Sequence, residues 1–261
     1  MKKIGIFVLF VALVLCQGVS AHMPGAAPAP EVDLGPIVVL DNGVPVEISI
    51  EDVGEYHGML EGKEPDVCVC CACMYRGILA GITEVWGDEV PVRSDIGLKS
   101  GLISNGSVQA AWYIIGAGPG MEPGNSGKLE FFLQDGSIVN DKSESAIKKA
   151  SKARTAESYW FEVTRLSTGD SVRLTVKDEV FPEGFAEMRK KVKMEKTASV
   201  DEIKQFAADY TIVRDGMLQN RDYEIFNEIE EPDESVDLLG GGIFLALLSA
   251  FCIGIVIMRR K

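Results

Sequence analysis

The sequence predicts an α+β domain, a mixed sheet with flanking helices, followed by one C-terminal transmembrane helix. Three observations lead there. Residues 37–230 interleave segments of helical and strand period, with helices appended at the end. Two strand pairs flank short turns, Asp41-Asn42-Gly43 and Ser167-Thr168-Gly169-Asp170, which is hairpin chemistry. Apolar runs stand at both ends of the chain, and that at 238–258 has spanning length.

Taken in order, Met1-Lys2-Lys3, the apolar run Ile4 to Leu15 and the small residues Val19-Ser20-Ala21 read as a signal peptide, residues 1–21. Residues 22–36, rich in Ala, Pro and Gly, read as a flexible leader. Ile37 to Leu40 and Val44 to Ile50 form the first hairpin, and Ile50 to Leu60 a short helix carrying Tyr56 and His57. A tight bend of cysteines precedes a helix over Tyr75 to Trp86, whose Ile78, Leu79, Ile82, Val85 and Trp86 share a face and which Gly87 closes. Val90 to Leu98 suits a strand. Ser107 is an N-cap for a helix over Val108 to Ile115, stopped by Gly116. A Gly-rich loop, 116–127, leads to a strand over Leu129 to Gln134. Lys142, Lys148, Lys149, Lys152 and Arg154 sit on a polar connector, and Arg189 to Lys196 on a helix face; both read as solvated surface. Ser158 to Leu166 and Ser171 to Lys177 make the second hairpin. Helices over Phe185 to Lys196 and Val200 to Tyr210 follow, the latter opened by the capping box Ser199 to Glu202.

Asp222 to Asp237 holds eight acids and no base, which predicts an extended stalk ending at 231–237. The span 238–258 and the basic tail 259–261 then place the C-terminus in the cytoplasm and the domain 37–230 outside it, as a single-pass protein of the cell membrane. A net charge of −13 argues against a nucleic-acid partner, because such binding neutralises phosphates with Lys and Arg. The membrane is the one partner the sequence indicates; it names no protein partner or small-molecule ligand. With two histidines in the chain, no Ser-His-Asp constellation can be built, and neither a P-loop nor a dinucleotide fingerprint is present.

Chemistry concentrates in Cys68-Val69-Cys70-Cys71-Ala72-Cys73, two overlapping C-x-x-C pairs. Thiolates are soft ligands for Zn, Cu(I) and Fe, and His57 offers an imidazole as fourth donor. The expected metal ligands are Cys68, Cys70, Cys71, Cys73 and His57, with Zn foremost and Cu(I) or Fe as alternatives. Two further readings stay open. The C-x-x-C pairs suit a thiol- or metal-dependent oxidoreductase, and outside the cytosol two disulfides would simply brace the loop of a structural surface protein.

Several stretches resemble the formylmethanofuran dehydrogenase E-subunit-like family. These are Ile50-Glu51-Asp52-Val53, Tyr56-His57-Gly58 and Tyr75-Arg76-Gly77; then Gly106 to Ile115, Gly127-Lys128-Leu129 and Gln134-Asp135-Gly136. Tyr159 to Thr175, Phe185 to Val192, Thr197 to Phe206, and Met217-Leu218 ahead of Ile225-Phe226 continue it, over about residues 50–227. The resemblance implies a mixed sheet like that of the glyceraldehyde-3-phosphate dehydrogenase catalytic domain, and a metal near a His-Gly-His-x-Cys-Pro-Gly motif. This chain departs from that motif: Met59 replaces the second His, the cysteine run replaces Cys-Pro-Gly, and Ser104 to Ser107 lacks the expected cysteine. With the domain placed outside the cytoplasm, the expected role is an accessory or binding protein rather than a free-standing enzyme.

Overall fold

The structure, a computed structural model, describes residues 23–32, 34–121 and 124–230. The expected signal peptide, transmembrane helix and basic tail all lie outside the described residues. Residues up to Glu228 belong to one compact unit.

A hairpin of β1 (Ile37–Asp41) and β2 (Val44–Ile48) opens the domain, its two-residue turn holding Asn42 and Gly43 at positive φ. Helix α1 (Ile50–Glu61) follows, capped reciprocally by Ser49 and Asp52 and ended by Gly62. Helix α2 (Val69–Trp86) is the centre of the fold. Among the described residues it is the one helix long and apolar enough to cross a membrane, at mean hydropathy 1.2, and 78% of it is buried within the protein. A helix apolar on every side needs neighbours all round. Here they are α1, α3 (Asn105–Ile115), α6 (Val200–Gln219) and the sheet.

The sheet is mixed, ordered β4-β3-β5-β6, from β3 (Ile96–Ser100), β4 (Lys128–Phe131), β5 (Trp160–Arg165) and β6 (Ser171–Thr175). The β3–β4 pair is parallel, with α3 in the connection, and the other pairs are antiparallel. Alternation along β5 buries Phe161 and Val163 and leaves Trp160 and Glu162 half-buried, so one face carries the core. Helix α2 meets that face through Gly77 and Gly81. A Cβ at either would lie 2.4 Å from the Phe161 ring or from Val163 Cγ2, so only hydrogen permits this approach. The Tyr75 hydroxyl ties the hairpin to the same helix, receiving the Ile37 N–H at 3.2 Å and lying 2.9 Å from the Ile48 carbonyl.

Helix α4 (Glu144–Lys152), α5 (Phe185–Arg189) and α7 (Asp222–Ile225) complete the set, with a π-helical turn over 190–195 after α5. The α+β class and the mixed sheet agree with the sequence reading, whereas several boundaries differ. Helix α2 begins six residues before Tyr75, so the cysteines form its first turns rather than a bend. Helix α3 is capped by Ser104, with Ser107 closing the capping box from N3. The polar connector contains α4, and α6 runs nine residues past Tyr210. In the segment before the first hairpin, Met23 is buried, and the guanidinium of Arg214 on α6 donates to the Ala27 and Pro28 carbonyls at 2.7 and 2.8 Å.

Candidate metal centre

The C-x-x-C spacing acquires its geometry from a helix start. Cys68 is the N-cap of α2, with extended backbone, and its sulfur accepts the Cys71 N–H at 3.4 Å. Cys71 occupies N3 of the same turn, which brings the two sulfurs 3.4 Å apart. Helix α1 supplies His57, fully buried, from the side. Cys68 Sγ, Cys71 Sγ and an imidazole nitrogen of His57 all lie within 4.8 Å of one another.

Around this triplet the polar partners are ordered. His57 Nδ1 bonds the side-chain oxygen of Gln109 on α3. An amide oxygen only accepts, so Nδ1 carries a proton, and Nε2 is the nitrogen left for the sulfurs or, once deprotonated, for a metal. Gln109 in turn donates to Glu61 Oε1 at 3.2 Å, and Asn105 donates to the same oxygen at 2.8 Å. A carboxylate behind an amide behind a ligating imidazole is the supporting chain that orients such ligands. The amino end of α3 closes the other side. The Gly106 carbonyl lies 3.4 Å from the Cys71 sulfur, and a Cβ at Gly106 would stand 2.4 Å from Cys68 Sγ.

Electrostatics separates the sulfurs. Hydrogen bonds from the Cys70 and Cys71 thiols, then the His57 imidazole, hold Cys68 well below the usual thiol value, the one sulfur of the four that is lowered. Burial and the Cys68 charge push Cys71 up. Burial works to lower His57, but its hydrogen bonds to Cys68 and Gln109 prevail and its pKa is raised. Cys70 is raised by its hydrogen bond to Cys68 and by burial, while Arg154 Nη1 donates to its sulfur at 3.0 Å. Cys73, fully buried in α2, is raised by burial. All four cysteines are free thiols.

The donor set fits a tetrahedral ion. With bonds of about 2.3 Å to sulfur and about 2.1 Å to nitrogen, ligand atoms stand roughly 3.6–3.8 Å apart. The observed 3.4 Å sulfur pair and the 4.8 Å bound on the triplet need shifts on the order of 1 Å to match. Of the five residues named from sequence, three come together; Cys70 and Cys73 stand outside that triplet.

No family model, curated protein or solved structure matches this chain.

The assignment to a site therefore rests on geometry. Sequence reasoning missed Gln109, Glu61, Gly106 and Arg154. Gly106 had a legible signal, a glycine two residues after a helix cap, where no helix needs one. Gln109 and Arg154 reach the site from distant positions, Arg154 meeting Cys70 across 84 residues, and Glu61, one helical turn past His57, joins it through Gln109.

Proposed function

We propose that this chain is a membrane-anchored, extracytoplasmic metal-binding protein of the formylmethanofuran dehydrogenase E-subunit-like type, acting as an accessory or binding protein. Zinc is the ion the reading favours, held by His57, Cys68 and Cys71, because two thiolates and one imidazole are the borderline-soft donors that zinc takes. The observation that carries the reading is the convergence of three buried donors from two helices within 4.8 Å. Cys70, hydrogen-bonded to Cys68, is a further sulfur for the fourth position or for a second arrangement of the same ion. The resemblance over residues 50–227 supports the family, and the two apolar terminal runs support the topology.

Elemental analysis of the full chain, purified without air, tests the metal. About one equivalent of zinc is expected, lost in Cys68→Ser and in Cys71→Ser. A wild-type protein without metal, or a Cys68→Ser/Cys71→Ser double variant that keeps it, overturns the assignment.

One observation favours a second reading. The C-x-x-C pair has its first cysteine at a helix start, where hydrogen bonds lower its pKa, and its second 3.4 Å away, the arrangement of a dithiol exchanger. In that chemistry Cys68 attacks a substrate disulfide and expels one substrate thiolate. Cys71 then displaces the second, leaving a Cys68–Cys71 disulfide and a substrate reduced by two electrons. A potential near ~−270 mV together with absent metal decides for exchange.

A further inference from the structure

Beside the thiols lies a cavity of ≈ 410 Å³ with Cys68 and Cys70 in its wall, within the size range of small-molecule sites. Its charge is one-sided. Lys148, Lys152, Arg154, Arg189, Lys193 and Lys196 line it, and no acidic residue does, in a chain whose net charge is −13. Random surface of so acidic a protein does not collect six bases without a carboxylate. They also outnumber Cys68 and Cys70, the two cysteines that face the cavity, so neutralising thiolates does not account for them. Among the described residues neither Arg154 nor Arg189 pairs with a carboxylate. Arg154 meets Cys70 Sγ and the Tyr159 ring, and Arg189 donates to the Ser151 carbonyl at 2.8 Å.

Two helix starts open into the same space. Cys68, Val69 and Cys70 bring the amino end of the 18-residue α2, and Ser104, Asn105 and Gly106 that of the 11-residue α3. Each contributes the positive end of its dipole. The remaining wall is apolar and aromatic: Val69, Tyr159, Phe185, Met194, Phe206 and Tyr210. Such a surface pays little desolvation for an apolar body and offers forked guanidinium donors to a planar or tetrahedral oxyanion.

We infer that this cavity is a binding site for a small organic oxyanion, a phosphate monoester or dicarboxylate with an apolar body, seated on Arg154, Arg189 and Lys193 above the cysteine cluster. This deepens the metal reading by naming what meets the centre, yet the cavity's charge stands without the ion.

Calorimetry on the full chain in detergent tests it, with phenyl phosphate, phthalate, inorganic phosphate and neutral benzyl alcohol as probes. Phenyl phosphate or phthalate is expected to bind, whichever is tighter naming the oxyanion, with inorganic phosphate weaker and benzyl alcohol weakest. Arg189→Gln and, independently, Lys193→Gln should each weaken the better probe tenfold or more. Lys190→Gln, an equal charge change at a residue paired with Glu195 outside the cavity, should leave it within twofold. Metal content should be unchanged in Arg189→Gln. The inference is overturned if neither organic anion binds at millimolar concentration, if benzyl alcohol binds as well, or if Lys190→Gln weakens binding as much as Arg189→Gln. Anion binding by a protein that carries no metal would sink the metal reading alone; a zinc-loaded protein that ignores every anion would sink this one alone.

Discussion

Cys68 is asked to do two things, and a pair of substitutions separates them. As N-cap its sulfur accepts the Cys71 N–H at 3.4 Å; as ligand it supplies the thiolate of the His57/Cys68/Cys71 triplet. Serine keeps an acceptor at the cap and removes the thiolate, whereas alanine removes both. A serine-type cap lost to alanine costs about 1 kcal/mol, so metal-free Cys68→Ala should be less stable than metal-free Cys68→Ser by that amount. Metal affinity behaves otherwise. If the ~10–16 kcal/mol of a four-ligand zinc site is shared evenly, one thiolate supplies roughly 3 kcal/mol, and both variants should lose about 100- to 1,000-fold in affinity. Urea unfolding of the metal-free proteins reads the first quantity, and competition against a chromogenic chelator reads the second. Equal stability of the two variants refutes the capping role. A Cys68→Ser protein that binds zinc within threefold of wild type refutes the ligand role, whatever its stability.

Two other perturbations probe the scaffold. In Gly81→Ala the new methyl lands 2.4 Å from Val163 Cγ2 and 2.7 Å from its Cβ, on a branched side chain of a central strand that has no room to turn. Overpacking of this kind costs about 1–3 kcal/mol, and a urea midpoint equal to wild type contradicts the close approach of α2 to the sheet. Glu202, held by Lys191 and by the Ser199 N–H, has its carboxyl depressed from 4.5 to about 2. A depressed carboxyl contributes stability above its unfolded value, and that contribution fades as pH falls through about 2. An NMR titration of the Glu202 side chain with a midpoint near 4.5 would show that the α6 capping box does not form in solution.

How much of the fold is written locally follows from which interactions are local. The Asn42-Gly43 turn, the Gly116 stop and the Ser199–Glu202 box each depend on residues within four positions of one another, and the structure keeps all three. The start of α2 is hard to place from sequence because its cap is a cysteine, which seldom serves where Ser, Thr, Asp or Asn usually does. Helix α4 escapes sequence reasoning because Ile147 is its one buried residue, so no apolar face announces it. The basic residues at 148–154 and 189–196 read as surface on each segment alone. Only the fold, which carries Arg154 to Cys70 and Arg189 to Ser151, turns two solvated stretches into one cavity wall.

The place of the thiols in that fold bears on what a metal would be for. In small zinc domains the ion supplies the folding energy because the core is too small to do so. Here the cysteines stand at the start of the long apolar helix α2, which the Phe161 and Val163 face, the Tyr75 clamp and the Arg76–Asp222 pair at 2.6 Å hold in position. Those contacts involve none of the three ligand residues and span residues 37 to 222. The core thus positions Cys68 and Cys71, and Gln109 and Glu61 orient His57, through contacts within the protein. A site whose scaffold does not need the ion for folding has its binding free energy available for selecting the ion and for what meets it in the cavity. That separation is what the proposed binding role of the centre requires.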